Sequence, residues 1–235
     1  MSNLRAFGAQ GDGQADDTAA LEHIIEEGDG RIRLPRGTYR ISRTIEIDVS
    51  KQGPISIEGS GGTARIVMTG PGPALRLRGT HDGTGDPGTR SDNVKLLERM
   101  PTISGLEITA EHAEADGLEL VGTMQPVLTS LLIHGVRDGI RLHKRNRNVL
   151  INHCHIYNNT GVGIFFDEVN LHQVNITGNH ISYNRLGGIR LERSEVRNLQ
   201  ITGNDIEYNN HAEHGTEPEP TAEIYVDVSA PGASV

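Results

Sequence analysis

The phrase that decides the fold reads Thr177-Gly-Asn-His-Ile181, and it returns 25 residues later as Thr202-Gly-Asn-Asp-Ile206. Earlier and looser copies are Asn152-His-Cys-His-Ile156 and Thr129-Ser-Leu-Leu-Ile133, so the closing isoleucines are 23, 25 and 25 residues apart. Self-similarity at a fixed period of this length indicates supersecondary units that stack on one another. The repeats therefore predict a solenoid, and they also predict which residues lie side by side in it.

A second repeated phrase indicates which side chains point inward. Its copies are Asp138-Gly-Ile-Arg-Leu142, Val162-Gly-Ile-Phe-Phe166 and Gly187-Gly-Ile-Arg-Leu191. Successive side chains of a strand point to opposite faces, so the shared isoleucine points to the core and the next residue points to solvent. A repeat of about 25 residues holds two or three short strands, which is the length of one rung of a β-solenoid.

The composition limits both the core and the partners. The chain has 235 residues, with three Phe, five Tyr, no Trp and 29 Gly, so its core must be aliphatic and its turns frequent. A net charge of -9 argues against a general nucleic-acid or anionic-membrane binder. Cys154 is the single cysteine, so no internal disulfide forms.

The ends of the chain bear on where the protein works. No run of residues is long and apolar enough for a membrane span. The opening residues lack the apolar stretch of a signal peptide. We expect a secreted or surface protein whose signal is absent from this chain, and a cytoplasmic location stays open. Nothing after Val228 resembles a cap, so we expect either a longer natural chain or coverage by another subunit.

The first part of the chain reads as one helix followed by short strands. The helix is predicted over residues 16–28, with Asp16 or Asp17 accepting the free N–H groups at its start and Gly28 ending it. Two polar loops are predicted, over residues 79–101 and 211–221. Strand-like segments bounded by turn residues cover 31–34, 39–42, 44–47, 55–58, 64–68 and 74–78. We predict one domain, divided into an N-terminal cap (1–30), irregular early rungs (31–102) and regular rungs (103–228).

The N-terminal phrases carry a resemblance to a known superfamily. Phe7-Gly-Ala-Gln-Gly-Asp-Gly-Gln-Ala-Asp-Asp-Thr-Ala-Ala-Leu21 and Ile32-Arg-Leu-Pro-Arg-Gly-Thr-Tyr-Arg-Ile41 resemble the opening of the pectate-lyase-like superfamily. This resemblance implies an all-β fold, a right-handed parallel β-helix with an N-terminal capping α-helix. The same opening occurs in polysaccharide lyases, polygalacturonases, uronan epimerases and phage tailspikes. The Asp-Pro-His-Asp run of the alginate epimerases and the Asn-Thr-Asp and Gly-His-Gly motifs of the polygalacturonases are absent, which disfavours those two activities.

Aligning the rungs on Gly117, Gly139, Gly163 and Gly188 gathers charged residues on one outer face. Neighbouring rungs lie about 4.8 Å apart, so these side chains are predicted to form one contiguous surface. We call this surface the charged patch, and it consists of Arg141, His143, Asp167, Arg190 and Glu192. Phe165 falls between the two arginines, and Lys144 and Arg145 lie at the edge.

The charged patch predicts binding of an acidic polysaccharide. Arginine pairs a carboxylate through two hydrogen bonds, and a basic side chain near a sugar C5 can act as the base of a β-elimination. The predicted catalytic residues are Arg141, His143 and Arg190; the predicted substrate-binding residues are Lys144, Arg145 and Phe165. Asp167 and Glu192 offer hard oxygen ligands, so they are the predicted Ca²⁺ ligands. No nucleic acid and no membrane is expected as a partner.

Three functions stay open at this point. The first is a polysaccharide lyase. The second is a glycoside hydrolase in which Asp167 and Glu192 are the acid and nucleophile, since adjacent rungs would place them near the ~5–5.5 Å separation of retaining enzymes. The third is a non-catalytic glycan-binding or structural β-helix, such as part of a homotrimeric spike, and its charged patch would be a solvated face with cross-strand ion pairs.

Three further columns of aligned residues are expected to be structural. Asn159, Asn184 and Asn209 suit left-handed turns and can hydrogen-bond from rung to rung. Cys154 matches the inward position of Asn179, which predicts a buried packing residue. The third column is read as a polar face with a metal site as the alternative, and it consists of His155, His180 and Asp205.

Overall fold

The structure, a computed structural model, describes residues 1–209 and 222–228. The loop predicted over 211–221 therefore lies outside the described residues. The described chain coils through strands that pair only in parallel. Within the described residues no helix is long and apolar enough to cross a membrane.

The elements are numbered in chain order. The helices are α1 (Thr18–Glu27), α2 (Val49–Gln52) and α3 (Asp92–Leu96), with single 3₁₀ turns at Leu4–Phe7 and Pro87–Thr89. The strands are β1 (Ser2–Asn3), β2 (Asp12–Asp16), β3 (Arg31–Arg33), β4 (Gly37–Ile41), β5 (Ile45–Asp48), β6 (Ser56–Glu58), β7 (Ala64–Met68), β8 (Gly72–Arg78), β9 (Thr102–Ser104), β10 (Leu106–Ala110), β11 (Ala115–Met124), β12 (Val127–Thr129), β13 (Leu132–His134), β14 (Ile140–Asn152), β15 (His155–Tyr157), β16 (Val162–Thr177), β17 (His180–Ser182), β18 (Gly187–Glu192), β19 (Glu195–Thr202), β20 (Asp205–Glu207) and β21 (Ile224–Val226).

These strands form three faces around the coil. One sheet of 13 strands bends along its length into two faces, because β14 and β16 each run through both. The first face has the order β5-β8-β11-β14-β16-β18-β21. The second face has the order β1-β3-β6-β9-β12-β14-β16-β19. The third face is a separate sheet with the order β2-β4-β7-β10-β13-β15-β17-β20.

Single residues with positive φ produce the bend between the first and second faces. They include Lys144 in β14 (φ 61°) and Glu168 in β16 (φ 49°), and Arg193 follows β18 with φ 44°. A left-handed residue turns the chain sharply within one step, and the pairing of β14 with β16 shifts register between His143 and Arg145. The strand therefore continues on a new face without losing its partner.

The core is a set of aliphatic columns that run along the coil. Ile140, Ile164 and Ile189 pair in register on the first face, and all three are fully buried. Ile133, Ile156 and Ile181 form the equivalent column on the third face. Full burial of one such side chain contributes about 1.5–3 kcal/mol, so these columns supply the hydrophobic stabilisation that the composition predicts for an aliphatic core.

Two asparagine ladders stabilise the turns between rungs. Asn159 Nδ2 donates to Asn184 Oδ1 (2.8 Å), and Asn184 Nδ2 donates to Asn209 Oδ1 (2.8 Å). In the second ladder Asn179 Nδ2 donates to Asn204 Oδ1 (2.9 Å). Cys154 is buried one rung before Asn179, and its backbone N–H donates to Asn179 Oδ1 (2.9 Å). These contacts confirm the rung-to-rung hydrogen bonds of both columns. The left-handed turn predicted for Asn159, Asn184 and Asn209 is wrong, because the residue before each of them has the positive φ: Asn158 (52°), Tyr183 (55°) and Tyr208 (54°).

Helix α1 covers the first rung, and its start differs from the expectation in one respect. Asp17 precedes the helix without capping it, because its carboxylate accepts hydrogen bonds from the backbone of Gln10 (2.7 Å) and Gly11 (3.0 Å). Asp16 does accept the N–H of Thr18 at 2.9 Å. The helix ends at Gly28 as predicted, and its buried face holds Leu21, Ile24 and Ile25.

The loop over residues 79–101 is folded against the coil. It contains the short helix α3 and a 3₁₀ turn. Glu98 is fully buried and accepts hydrogen bonds from the backbone N–H of Thr80 (2.6 Å) and from Asn93 Nδ2 (2.7 Å). Arg147 of β14 donates to the carbonyl oxygens of Thr84 (2.7 Å) and Gly85 (3.0 Å). The loop is thus fastened at both its base and its middle.

Candidate functional site

The register of the first face brings the charged patch together as the repeats predict. Arg141, Phe165 and Arg190 are directly paired on β14, β16 and β18. His143 pairs with Asp167, and Asp167 pairs with Glu192. All of these side chains lie on the outer surface of the face, since inward and outward residues alternate along a strand.

Part of the charged patch lines a cavity of about 550 Å³ on this face. Four of the predicted residues line it, namely Arg141, Phe165, Arg190 and Glu192. Two residues that the sequence analysis did not select, Arg137 and Asp138, also line it. His143, Lys144, Arg145 and Asp167 are not among its lining residues.

The two arginines of the cavity have different partners. Arg141 donates through Nε to Asp167 Oδ2 (3.1 Å), and its Nη2 pairs with the same oxygen. Burial acts against the charge of Arg141, but the hydrogen bond and charge of Asp167 outweigh it and raise the pKa of this guanidinium. Arg190 Nη2 pairs with Glu192 Oε1, whereas its buried Nε–H has no hydrogen-bond partner among the described residues.

Aromatic rings lie beside both guanidinium groups. The Arg141 guanidinium carbon is 6.0 Å from the centre of the Phe165 ring, and that of Arg190 is 5.3 Å from the centre of the Tyr225 ring. Such contacts hold a cation in place without neutralising it. The arginines are therefore held in place, and the Nε–H of Arg190 is a buried donor without a partner among the described residues.

His143 lies beside the cavity, and its tautomer follows from one contact. Its Nδ1 is 2.9 Å from the carbonyl oxygen of Asp167, which can only accept a hydrogen bond. In the neutral ring Nδ1 therefore carries the proton, and Nε2 is the nitrogen with the free lone pair. This is the tautomer that a general base requires.

The predicted edge residues lie further from the cavity. Lys144 is exposed at the bend of β14. The Arg145 side chain donates through Nη1 to Asn170 Oδ1 of the next rung, and burial lowers its pKa. Lys144 forms the bend itself, and Arg145 follows it on the second face, away from Arg141 and Arg190.

Asp138 is the cavity residue with the most perturbed chemistry. Burial raises its pKa to about 6, against the opposing hydrogen bond that its Oδ1 accepts from Val162 N–H (2.8 Å). Arg137 Nε lies 4.0 Å from Asp138 Oδ2 and is itself bound to Asp116 (2.8 Å). The sequence does hold a signal for Asp138. It directly precedes Gly139, just as Asp116 precedes Gly117 in the aligned rungs.

Two sets of residues bear on metal binding. Asp167 and Glu192, the predicted Ca²⁺ ligands, are each paired with an arginine. Ca²⁺ takes about 6–8 oxygen ligands, so binding here would have to displace those arginines, and the assignment stays a prediction. On the third face, ligand atoms of His180, Asp205 and Glu207 lie within 4.8 Å of one another, and His155 pairs with His180 in the same column. This second set fits a metal better than the first.

Comparisons with known proteins support the coiled parallel fold. Residues 88–224, more than half of the chain, match the family described as the right-handed β-helix region. Residues 1–72 match the family described as rhamnogalacturonase A/epimerase, pectate lyase-like. Mannuronan C5-epimerase AlgE3 of Azotobacter vinelandii is 48% identical over 44 residues, which are 17% of this chain and 2% of that protein.

Two of the matching solved structures have low sequence identity to this chain. The ORF18 protein of Geobacillus virus E2 is 16% identical with a TM-score of 0.60, over 86% of this chain and 40% of that one. The enzymatically active domain of tailspike protein 2 from bacteriophage CBA120 is 16% identical with a TM-score of 0.46, over 96% of this chain and 46% of that one. The chain thus spans a minor part of each relative, and by its family match and its parallel rungs it belongs to the right-handed parallel β-helix family of the pectate-lyase-like superfamily.

Proposed function

We propose that this protein is carbohydrate-active, that it binds an acidic polysaccharide at the cavity of the first face, and that it cleaves the chain by β-elimination. The observation that carries the proposal is the pair Arg141 and Arg190, which line one cavity on either side of Phe165. The unpartnered Nε–H of Arg190 supports it, because a buried donor without a partner is costly until a ligand supplies one.

The spacing of the two arginines suits a polymer of acidic sugars. They are two rungs apart, and a rung repeats about every 4.8 Å, so their backbones lie about 10 Å apart. Arginine binds a carboxylate through two parallel hydrogen bonds. Phe165 between them offers an apolar face to a sugar ring.

The elimination assigns one task to each residue. An arginine neutralises the uronate carboxylate, which makes the proton on C5 more acidic. His143 Nε2 takes that proton, the electron pair forms the C4–C5 double bond, and the bond from C4 to the glycosidic oxygen breaks. Asp138, whose pKa is raised to about 6, supplies the proton to the departing oxygen.

The ion pairs argue against the hydrolase. A glycosidase needs two carboxyl groups that both reach the glycosidic bond. Asp167 and Glu192 are each paired with an arginine, so carboxyl oxygens that would have to face the sugar are already engaged. Epimerisation at C5 is the second candidate, because the 44-residue match is to a mannuronan C5-epimerase, and the missing Asp-Pro-His-Asp run ranks it below elimination. It shares removal of the C5 proton and differs in returning a proton to C5.

A product assay on polyuronides and glycosaminoglycans, with Ca²⁺ or with a chelator, tests the proposal. The expected product has an unsaturated end that absorbs ultraviolet light. New reducing ends without that absorbance would indicate a hydrolase, deuterium at C5 without cleavage would indicate an epimerase, and binding without turnover would indicate a glycan-binding protein. Failure to bind any acidic glycan would overturn the carbohydrate proposal as a whole.

Matched variants locate the activity. Arg141→Ala and Arg190→Ala are expected to weaken acidic-glycan binding at least several-fold, with a smaller loss at high salt, because salt screens exposed charges. Arg65→Ala is the control, since Arg65 pairs with Glu107 on the third face, away from the cavity. Equal binding by all three variants would remove the charged patch from consideration.

A further inference from the structure

A second and larger groove runs along the second face. Its volume is about 1290 Å³, more than twice that of the cavity on the first face. Seven successive rungs contribute to its lining, and the paired residues of those rungs stand in one column. The column consists of Arg31, Ser56, Thr102, Val127, Leu150, Asn175 and Gln200. The groove therefore follows the axis of the coil for most of its length.

Carboxamide side chains line its C-terminal half. One amide residue per rung occupies a second sharp turn, a few residues beyond the bend between the first and second faces, with φ between 53° and 68°; the four residues are Gln125, Asn148, Gln173 and Asn198. Left-handed backbone favours glycine and asparagine. Glutamine is not favoured in this conformation, so the turn alone does not explain why Gln125 and Gln173 occupy it. What the four positions share is a side chain that both donates and accepts hydrogen bonds.

The same half of the groove carries no charge. From Gln125 onward its lining residues include no Asp, Glu, Lys or Arg. The chain as a whole has 53 such residues (22 basic plus 31 acidic) among 235, and the cavity on the first face holds both signs. A carboxylate or phosphate ligand would find no cation to pair with here. This half of the groove thus suits uncharged partners, whereas Asp29, Arg31 and Arg99 line the other half.

One buried acceptor in the groove lacks a donor. Asn148 Oδ1 is shielded from solvent and has no hydrogen-bond partner among the described residues. Such an atom costs free energy until a donor reaches it. Beside it Leu150 is 38% exposed, and Met100, which lies two rungs earlier, is 62% exposed. Hydroxyl donors for the amides and C–H faces for the apolar side chains are the two surfaces of a sugar ring.

We propose that this groove binds an uncharged polysaccharide that lies along the coil axis. The amides of successive rungs bind hydroxyl groups of successive sugars, and Leu150 and Val127 pack against ring faces. The site is independent of the acidic-glycan cavity, because it lies on another face and shares no lining residue with it. Its affinity is expected to be insensitive to salt, unlike that of the charged patch.

Calorimetric titration of the full chain with maltohexaose, cellohexaose, mannohexaose and a hexauronate tests this assignment. At least one neutral hexasaccharide is expected to bind, with the same dissociation constant at low and high salt. Gln173→Ala is expected to weaken it several-fold, and Leu150→Asp, a charge at an exposed position, is expected to weaken it at least tenfold. Arg190→Ala is the control and should leave neutral-glycan binding unchanged.

The outcomes separate this site from the proposed activity. No binding by any neutral probe, or binding that survives both groove substitutions in variants with wild-type melting temperatures, overturns the inference. Binding abolished by Arg190→Ala also overturns it, because the neutral sugar would then occupy the first face. Loss of hexauronate binding in Arg190→Ala alone concerns the charged patch and leaves the groove assignment standing.

Discussion

Asn184 is the residue on which the longer asparagine ladder depends. It is fully buried, it accepts from Asn159 and donates to Asn209, and its Nδ2 also donates to the carbonyl oxygen of Ile156 (3.1 Å). Asn184→Ala leaves these partners unsatisfied at about 1–3 kcal/mol each. We expect it to lower the free energy of unfolding, measured in urea, by more than Arg190→Ala does. Equal or reversed losses would contradict the rung alignment.

Cys154 occupies a position that asparagine holds in the next two rungs. Its Sγ lies 3.8 Å from the carbonyl oxygen of Leu128, which corresponds to the contact of Asn179 Nδ2 with Ile151 O (3.0 Å). Cys154→Asn should extend the second ladder by one rung and raise the free energy of unfolding by about 1 kcal/mol. The comparison is Cys154→Ser in the same urea titration. A loss of stability in the asparagine variant would show that the earlier rung cannot accommodate an amide.

Asp138 should give the protein a recognisable pH dependence. Its pKa rises from 3.8 to about 6 on folding, mainly because it is buried. Between those values the folded protein binds more protons than the unfolded chain, so the free energy of unfolding falls as the pH rises through this window. Asp138→Asn removes the effect, and we expect the variant to be more stable than wild type by about 1–2 kcal/mol above pH 7.

The same comparison at about pH 4 is the control for Asp138, because there the wild-type carboxyl is largely protonated and the two proteins should differ little. Parallel stability profiles from pH 4 to 8 would contradict the assignment. The Asp138 variant should also lose lyase turnover at every pH if this carboxyl supplies the proton to the departing oxygen.

At the scale of elements, one side chain of β14 holds the middle of the loop over residues 79–101. Arg147 is 4% exposed and binds two loop carbonyl groups, at Thr84 and Gly85. Arg147→Ala should release the middle of the loop and increase hydrogen exchange there, while the circular dichroism of the coil stays unchanged. Arg145→Ala is the matched control, because Arg145 binds Asn170 of the next rung. Equal exchange in the two variants would contradict the anchoring role.

Most elements could be predicted from the sequence, and the exceptions have a physical cause. The strand predicted over 64–68 is β7 as observed, because turn residues bound it on both sides. The repeats instead predicted separate short strands where β14 and β16 run for 13 and 16 residues. A single left-handed residue such as Lys144 turns the chain without ending its pairing, and residue type alone does not reveal that conformation.

The sequence predicted which residues of the candidate site lie side by side, but only some of the residues that line its cavity. The alignment on glycines placed Arg141, Phe165 and Arg190 side by side, because one-residue shifts would have buried them. Arg137 and Asp138 were missed because they belong to the turn before β14, and turns do not follow the alternation of a strand. Their contribution depends on how the turn folds over the end of the sheet.

At the scale of the whole molecule, the last described strand suggests a partner. Ile224, Tyr225 and Val226 of β21 are 41%, 42% and 45% exposed, and among the described residues this strand pairs only with β18. Within the described part of the chain this apolar edge has no further strand partner, and such an edge is a liability in solution. We expect a homotrimer, with three times the mass of the 25.5 kDa chain in light scattering. A monomer mass across a dilution series from high concentration would contradict it.

Because the regular rungs between Gly139 and Asn209 meet through equivalent contacts, each of them is a repeat that a gene can duplicate or delete as a unit. Removal of residues 163–187 would bring Gly188 to the place of Gly163, and Asn209 would meet Asn159 in place of Asn184. The interior would be preserved, yet Arg141 and Arg190 would become direct neighbours. Duplication or deletion of a single repeat could therefore retune the distance between binding groups in one evolutionary step, without redesign of the core.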